Sequence, residues 1–246
     1  MYQSLSVAAV IPAMNEEQAI GKVVTQLREL LDEGSVPVID AIIVCDNGST
    51  DRTAEQALSA GATVVRQAQP GYGIACLTAL EHLPDCDIVL FVDGDDSCLV
   101  AQAMVLLQGV AQGDDIAISS RSLGRREKGA LTIPQQFGNW LAAQLIRWLW
   151  GYRLTDLGPF RAIRREALKQ LNMQDQAFGW TVEMQVKAII HGMRMGEYPV
   201  DSKVRIGKSK ISGTVKGTVN AGIGILSMIA RLRWNSRMAR SPEFRG

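Results

Sequence analysis

The stretch DIVLFVDGDDS (residues 87–97) places three acidic side chains directly after the most apolar run of the chain. The run IVLFV (88–92) shows no polar alternation, which is typical of a strand buried on both faces of a parallel sheet. Carboxylates crowded at the end of such a strand repel one another, and burial makes the repulsion more costly. Because a bound cation would neutralise them, the stretch predicts a buried strand that ends at a cation site. A solvated acidic turn is the alternative interpretation.

Short apolar runs of the same kind recur along the chain and alternate with amphipathic segments. Their sequences are VAAVI (7–11), AIIVC (41–45), ATVV (62–65) and IAIS (116–119). Strands of this type separated by helices indicate an α/β protein with a mostly parallel central sheet and helices on both faces. After IAIS, the pattern changes to a basic loop, an aromatic-rich helix, a short strand in MRMGEYPV and a Gly-interrupted apolar helix.

The composition limits the class of protein and of partner. The 246 residues are 47% hydrophobic and 21% charged, which suffices for a substantial core and excludes disordered and collagen-like proteins. The net charge of +1 hides an asymmetry, because residues 203–246 hold ten Lys or Arg against one acid. Such a basic tail predicts an anionic partner: phosphate, nucleic acid or a membrane surface. We expect no nucleic acid, because no nucleic-acid-binding motif accompanies the charge.

Compartment and membrane signals are weak. The N-terminus lacks the basic and long apolar regions of a signal peptide, so we expect a cytoplasmic or cytosol-facing protein. The best candidate for a membrane span, residues 217–230, has 14 residues including three glycines, whereas a spanning helix needs roughly 20 apolar residues. The four cysteines show no metal-binding spacing, which favours free thiols in a reducing compartment.

Polar residues follow three of the predicted strands, in the segments 12–16, 46–48 and 93–96. Ligands of open α/β sheets bind beyond the carboxyl ends of parallel strands, so these residues should converge on one crevice. Asp93 and Asp95 can hold a divalent cation that bridges phosphate oxygens. Helix capping by Asp and Asn, for which Asp96 is a candidate, is the alternative interpretation.

Two loops carry further signals. The run Asn15-Glu16-Glu17 offers a cap and an acidic first turn to the helix that follows it. Gly71 and Gly73 precede another predicted helix and could let a diphosphate approach its N-terminus. Taken alone, the second loop is better explained as an ordinary glycine turn.

A set of four segments runs through the first half of the chain in a fixed order: VIPAMNEEQAIGKVV, IIVCDNGSTDRTAE, PGYGIACLTAL and VDGDDS. They resemble family 2 glycosyltransferases of the GT-A fold. Three segments follow later: DLGPFRAIRREAL, GWTVEMQVKA and PVDSKVRIGKSKISGT. These are similar to the branch that transfers sugars to polyprenyl phosphates, typified by dolichyl-phosphate mannosyltransferase.

The resemblance implies an architecture and a reaction. Residues 1–213 would form a Rossmann-like GT-A domain. The residue pattern itself predicts a basic amphipathic helix over 214–240 and a disordered tail over 241–246. The domain would transfer a sugar from a UDP- or GDP-sugar to a polyprenyl or dolichyl phosphate, with inversion and with the help of Mg²⁺ or Mn²⁺. Two alternatives remain open, a soluble acceptor and a non-catalytic nucleotide-sugar-binding or membrane-scaffold protein. Retention of both Asp93 and Asp95 argues against the second.

The resemblance also assigns roles to individual positions. The donor-binding set is Pro12, Asn15, Glu16, Asp46, Gly71, Gly73 and Asp93. The metal ligands are Asp93 and Asp95. The acceptor- or phosphate-binding set is Arg121, Gln135, Asn139, Arg205, Ser209 and Lys210. Gln135 and Asn139 stand where the family has Arg and Ser, so the acceptor is less well defined than the donor.

Catalysis would depend on the kind of acceptor. A metal at Asp95 would stabilise the leaving nucleoside diphosphate, which makes Asp95 a catalytic candidate. A phosphate acceptor is already anionic and needs positioning, whereas an alcohol needs a general base. Asp156 and Glu183 are the candidates for that base, although stabilisation of a helix N-terminus would also explain Glu183.

Two helical segments have apolar faces with tryptophan and basic neighbours. The first face consists of Trp140, Leu141, Leu145, Trp148 and Leu149. The second consists of Ile223, Leu226, Ile229 and Trp234. Such faces fit helices that lie in the bilayer interface, so we expect a peripheral protein on the cytosolic face of a membrane. Packing into the protein core is the alternative, particularly for the first segment.

Overall fold

A computed structural model describes residues 1–207 and 215–238, and within them seven strands form one sheet in the order β3-β2-β1-β4-β6-β5-β7. The strands are β1 (Val7–Ala13), β2 (Ala41–Asp46), β3 (Thr63–Arg66), β4 (Ile88–Phe91), β5 (Ile116–Ser120), β6 (Arg161–Arg164) and β7 (Met195–Pro199). The candidates Ser209 and Lys210, the expected domain boundary after residue 213 and the tail 241–246 lie outside the described residues.

Helices connect the strands and follow the last of them. They are α1 (Ile20–Arg28), α2 (Thr53–Ser59), α3 (Tyr72–Glu81), α4 (Ala103–Ala111), α5 (Ile133–Trp150), α6 (Arg165–Leu171), α7 (Trp180–Ile190) and α8 (Val215–Met238). Within the described ranges, no helix combines the length and the apolar character that crossing a bilayer requires.

The strand directions confirm the predicted α/β class with a mostly parallel sheet. Neighbouring strands pair in parallel except around β6, which runs antiparallel between β4 and β5. The five apolar runs and the MRMGEYPV segment all form strands close to the predicted positions. Strand β6 was not predicted, because its four residues, RAIR, are too short and too polar to stand out.

The alternation of side chains along β4 explains why both faces of the sheet are covered. Ile88 and Leu90 belong to one core cluster with residues of α1 and α4. Val89 and Phe91 belong to a second cluster with residues of α3, α6 and α7. There the ring of Phe91 meets the edge of Trp180, with the ring centroids 6.2 Å apart. A strand with apolar contacts on both sides needs no polar alternation, as the sequence pattern indicated.

A third cluster joins α5, α7 and α8 beside the sheet. Ala142 and Ile146 of α5 pack with Met228, Ile229 and Leu232 of α8. The expectation that Ile229 belongs to a bilayer-facing surface is therefore wrong, since its side chain is 3% exposed. The C-terminal helix thus attaches to the body of the protein through one buried face.

The start of α1 also differs from its prediction. The helix begins at Ile20, after Ala19, and its first turn contains no acidic residue. Asn15 instead adopts a left-handed backbone conformation with φ of 53°. The N–H of Glu16 donates to Thr53 Oγ1 at 2.7 Å. Asn15 and Glu16 therefore form a loop fastened to the start of α2, and this loop faces the site described next.

Candidate active site

Two cavities meet at the carboxyl ends of β1 and β4. The larger has a volume of about 430 Å³ and is lined by Pro12, Glu16, Gly71 and Tyr72, among others. The smaller has a volume of about 170 Å³ and lies towards Arg121. Both are lined by the same three residues, Asp93, Asp95 and Arg205. The predicted convergence of strand ends thus produces two adjoining spaces with a shared charged wall.

The two candidate metal ligands are held by different partners. Asp93 Oδ1 accepts the hydroxyl of Tyr72 at 3.1 Å. Burial, and then the charge of Asp95, raise the pKa of Asp93 to about 7. Asp95 Oδ1 accepts the N–H of Ser97 at 3.0 Å, while Asp95 Oδ2 lies 3.0 Å from Arg205 Nη1. The shared wall is therefore a cluster of two carboxylates and one guanidinium.

The carboxylates of this cluster could supply some of the ligands of a divalent cation. Among the described residues, no group of three or more His, Cys, Asp or Glu side chains could hold a metal ion by itself. Mg²⁺ and similar hard cations, however, commonly take only one or two protein carboxylates and complete their shell with substrate phosphates and water. Asp93 and Asp95 fit the protein's share of such a site, which a diphosphate would complete.

Arg205 links this cluster to the loop after β1. Its Nη2 lies 2.6 Å from Glu16 Oε1, in addition to the contact of its Nη1 with Asp95. The predicted donor residue Glu16 therefore lines the larger cavity with its carboxylate engaged. Asn15 does not line that cavity, and its Oδ1 accepts the N–H of Thr50 at 2.7 Å. Asn15 thus ties two loops together at the rim of the site.

The turn after β2 contributes a different residue from the one predicted. Asp46 does not line the larger cavity, and its Oδ1 accepts the N–H of Ser49 at 3.0 Å. Its neighbour Asn47 does line the cavity, and its Oδ1 accepts the N–H of Gly71 at 2.8 Å. The sequence DNG marked this turn, but which side chain faces the cavity depends on the path of the glycine loop.

The glycine loop does not offer its amides to a diphosphate in the predicted way. The N–H of Gly73 donates to the carbonyl of Ala177 at 3.1 Å, and that of Ile74 donates to the carbonyl of Gln176 at 3.0 Å. A Cβ on Gly73 would overlap the carbonyl oxygen of Asp175. The glycines therefore let the segment 175–177 pack against the start of α3, while Gly71 still lines the larger cavity.

Glu183 holds this same segment and lines neither cavity. Its carboxylate is 1% exposed and accepts the N–H groups of Gln174 and Asp175, the latter at 2.7 Å. Lys187 Nζ lies 2.8 Å from it. The prediction that Glu183 is a general base is therefore wrong. Its buried carboxylate holds in place the segment that packs against the glycine loop.

The other base candidate, Asp156, is also engaged. It is 1% exposed and lines neither cavity. Arg121 donates to it from Nε at 2.8 Å, from Nη2 at 2.7 Å and from its backbone N–H at 2.8 Å. Asp156 is therefore a positioning residue, and the group it presents to the smaller cavity is the guanidinium of Arg121.

Gln135 and Asn139 of α5 have different positions. Gln135 lines the smaller cavity, although its Oε1 also accepts the N–H of Thr132 in the capping box of α5. Asn139 does not line it, and its Oδ1 accepts the N–H of Leu157 at 2.8 Å. Asn139 thus supports the loop that carries Asp156.

Asp96 is not the helix cap that the sequence suggested. Its carboxylate is 2% exposed and lies 2.7 Å from both Lys22 Nζ and Lys203 Nζ. The N–H of Lys203 donates to the carbonyl of Ser97 at 3.0 Å, and that of Ile206 donates to the carbonyl of Asp95 at 2.9 Å. Asp96 therefore fastens the chain around Arg205 to the loop that carries Asp95.

The smaller cavity combines positive charge with unused hydrogen-bonding groups. Arg121, Lys203 and Arg205 line it, and Lys203 was not among the predicted residues. Ser119 Oγ, Ser202 Oγ and Arg205 Nε are buried and have no hydrogen-bond partner in the part of the chain that the structure describes. Such groups are costly unless a ligand or water satisfies them. Three carboxylates, Asp93, Asp95 and Asp201, line the same cavity and balance these positive charges. The unpaired polar groups suit the cavity to a ligand with several oxygens.

Comparisons with known proteins show which family the chain is similar to. Residues 8–171 match the family model described as glycosyl transferase family 2. A dolichyl-phosphate hexose transferase of Haloferax volcanii is 32% identical over 207 residues, which are 83% of this chain and 86% of that protein. An uncharacterized glycosyltransferase of Mycobacterium bovis is 30% identical over 228 residues, covering 92% of this chain and 98% of its own length.

Solved structures show the same fold. Glucosyl-3-phosphoglycerate synthase from Mycobacterium tuberculosis, in complex with Mn²⁺, UDP and phosphoglyceric acid, superimposes with a TM-score of 0.71. The match covers 94% of this chain and 79% of that one at 21% sequence identity. At that identity the likeness establishes the fold alone.

Proposed function

The chain belongs to glycosyl transferase family 2, and we propose that this glycosyltransferase moves a hexose from a nucleoside-diphosphate sugar to the phosphate of a polyprenyl-type lipid. The observation that carries the proposal is the shared wall of Asp93, Asp95 and Arg205 between the two cavities. A donor in the larger cavity and an acceptor in the smaller one would meet at this wall, where the bond to the leaving diphosphate breaks.

The wall has the groups that a leaving nucleoside diphosphate needs. A divalent cation bound at Asp93 and Asp95 supplies charge stabilisation to the departing diphosphate. Arg205, whose Nη1 lies 3.0 Å from Asp95 Oδ2, adds a positive charge at the same wall. Crystal structures of the synthase described above contain Mn²⁺ or Mg²⁺ together with UDP, which supports Mg²⁺ or Mn²⁺ as the cofactor here.

The acceptor side favours a phosphate over an alcohol. Asp156 and Glu183 line neither cavity, so neither is placed to remove a proton from a hydroxyl. Three other carboxylates do line the smaller cavity. Asp93 and Asp95 are the proposed metal ligands, and Asp201 Oδ1 accepts the N–H of Arg125 at 2.7 Å. A phosphate oxygen is already a nucleophilic anion and needs the positive charges of Arg121 and Lys203 for its orientation. Direct attack by that oxygen would invert the anomeric centre.

A membrane surface would present such an acceptor, and two helices expose side chains suited to it. On α5 the exposed large apolar residues are Ile133, Phe137, Trp140 and Trp148. On α8 they are Val219, Ile223, Leu226 and Trp234. The two sets have the same spacing, which places each set within about 80° around its helix axis. Exposed arginines lie beside them, at Arg147, Arg153 and Arg231. Tryptophan-rich apolar faces with basic neighbours support docking at a bilayer interface.

A soluble phosphorylated acceptor is the second candidate. The described walls of the smaller cavity, about 170 Å³ in volume, offer charged and polar groups that would suit a phosphate whatever molecule carries it. The structurally similar synthase has phosphoglyceric acid as a bound ligand.

A turnover screen tests both candidates. UDP- and GDP-sugars are incubated with the chain and Mn²⁺, and the acceptors are polyprenyl phosphate, the matching polyprenol and phosphoglyceric acid. We expect transfer to polyprenyl phosphate and none to the polyprenol. Transfer to phosphoglyceric acid alone would replace the lipid acceptor by the soluble one. Transfer to the polyprenol at a similar rate would contradict the phosphate-binding role of the smaller cavity.

A further inference from the structure

The guanidinium of Arg205 bridges carboxylates from two different strand ends. Its Nη1 lies 3.0 Å from Asp95 Oδ2, after β4, and its Nη2 lies 2.6 Å from Glu16 Oε1, after β1. The side chains are 26%, 13% and 9% exposed, respectively, so water screens these contacts only in part. Arg205 thus sits between the carboxylates that line the donor side of the site.

The bridge places a positive charge where a metal ion would also bind. Asp95 Oδ1 already accepts the N–H of Ser97, and Oδ2 faces the guanidinium. A divalent cation on Asp95 would therefore lie within a few ångströms of Arg205, and like charges at that distance repel strongly. The cation and the guanidinium are competitors for the same carboxylate.

We propose that Arg205 is an exchangeable counter-ion, which neutralises Asp95 and Glu16 in the ligand-free protein and moves to the donor diphosphate when the metal and nucleotide bind. The inference rests on the proposed function, since it assumes a metal-assisted donor. The proposal predicts that the metal alone binds weakly, because it must displace the guanidinium. When a nucleoside diphosphate binds with the metal, it gives the displaced guanidinium a new anionic partner.

The surrounding contacts allow the side chain to move while its backbone stays in place. The N–H of Ile206 donates to the carbonyl of Asp95, and the N–H of Lys203 donates to that of Ser97. The salt bridge of Lys203 with Asp96 fixes the same segment from the other side. Arg205 Nε is buried without a hydrogen-bond partner among the described residues, so this nitrogen loses no hydrogen bond when the side chain moves.

The test measures Mn²⁺ binding to the whole chain by electron paramagnetic resonance of the free ion, with and without UDP. Arg205→Met should bind Mn²⁺ alone roughly three- to tenfold more tightly than the wild type, because the competing charge is gone. With UDP present the order should reverse, because the diphosphate has lost its cationic partner. Lys203→Met is the matched control, since it removes the same charge from the same segment but from Asp96 instead of Asp95.

The outcomes separate the two proposals. Equal gains in Mn²⁺ affinity for Arg205→Met and Lys203→Met, or no gain for Arg205→Met, would overturn the exchange while leaving the proposed function intact. A wild-type chain that binds Mn²⁺ neither alone nor with UDP would overturn both. If Arg205→Met does not fold, Arg205→Lys is measured instead. Its single ammonium cannot span Asp95 and Glu16, so we expect a smaller gain in Mn²⁺ affinity. No gain in this variant would count against the exchange.

Discussion

Arg121 and Asp156 form a three-point contact in which both carboxylate oxygens accept from the guanidinium and one also accepts from the backbone N–H of Arg121. The carboxylate is buried, whereas the side chain of Arg121 is 22% exposed and lines the smaller cavity. Burial by itself lowers the pKa of Arg121, but the hydrogen bond and charge of Asp156, together with the charges of Asp93 and Asp95, outweigh it and raise that pKa overall. The pair therefore fixes a permanent cation, in one orientation, at the proposed acceptor site.

Replacing Arg121 by lysine tests this orientation. Lysine keeps the charge but cannot make the two-pronged contact with Asp156 while facing the cavity. We expect kcat/KM for the phosphate acceptor to fall about 10- to 100-fold, with the KM for the donor nearly unchanged. Steady-state kinetics with each substrate varied separately provides the measurement. Arg66→Lys, at an exposed arginine on β3, is the control. An unaltered kcat/KM for the acceptor in Arg121→Lys would exclude the proposed role.

The shared wall predicts separate roles for two neighbouring acids, Asp95 and Asp96. Asp95→Asn should lower transfer by roughly a hundredfold or more and should remove the strengthening of UDP binding by Mn²⁺. Asp96→Asn should keep that strengthening, because Asp96 lines neither cavity and pairs with Lys22 and Lys203. Calorimetric titration of UDP with and without Mn²⁺ distinguishes them. If both variants lose the strengthening of UDP binding by Mn²⁺ equally, the local negative charge, and not ligation of the metal by Asp95, would explain that strengthening.

The close packing at the glycine loop predicts an effect on stability. A methyl group on Gly73 meets the backbone of Asp175, so Gly73→Ala should reduce the free energy of unfolding by about 1–3 kcal/mol. A Cβ added to Gly138, inside α5, would meet no atom within 4 Å beyond its chain neighbours and the nearby backbone of its own helix. Gly138→Ala should therefore raise the free energy of unfolding by about 1 kcal/mol. Urea unfolding of both variants checks the pair. Similar changes in both would show that helix propensity, and not the contact with Asp175, decides the outcome.

The sequence predicted what depends on local pattern. The apolar run of β4 needed contacts on both faces, and Ile88 and Phe91 have them on opposite sides of the sheet. The same run located Asp93 and Asp95 at a strand end. Strand periodicity and strand-end position are properties of neighbouring residues, so a single sequence reveals them.

The sequence did not predict what depends on partners distant in the chain. Asp96 looked like a cap because capping is local, yet its partners Lys22 and Lys203 come from opposite ends of the chain. Glu183 looked like a base or a helix-dipole partner, but the backbone path of 174–175 brings two N–H groups to it. The tertiary path of the backbone decides which acid faces a cavity and which is buried in contact with other groups. The local spacing of residues does not reveal this.

The exposed tryptophans of α5 and α8 give the sharpest test of membrane docking. The double variant Trp148→Gln with Trp234→Gln removes side chains that are 81% and 69% exposed, so the fold should be little affected. We expect its binding to vesicles of phosphatidylcholine and phosphatidylglycerol to weaken by about tenfold or more, since interfacial tryptophans contribute much of the apolar contact. Leu58→Gln on α2, 58% exposed, is the matched control and should bind as the wild type does. Vesicle sedimentation measures all three proteins, and a double variant that sediments like the wild type would rule out docking through these two helices.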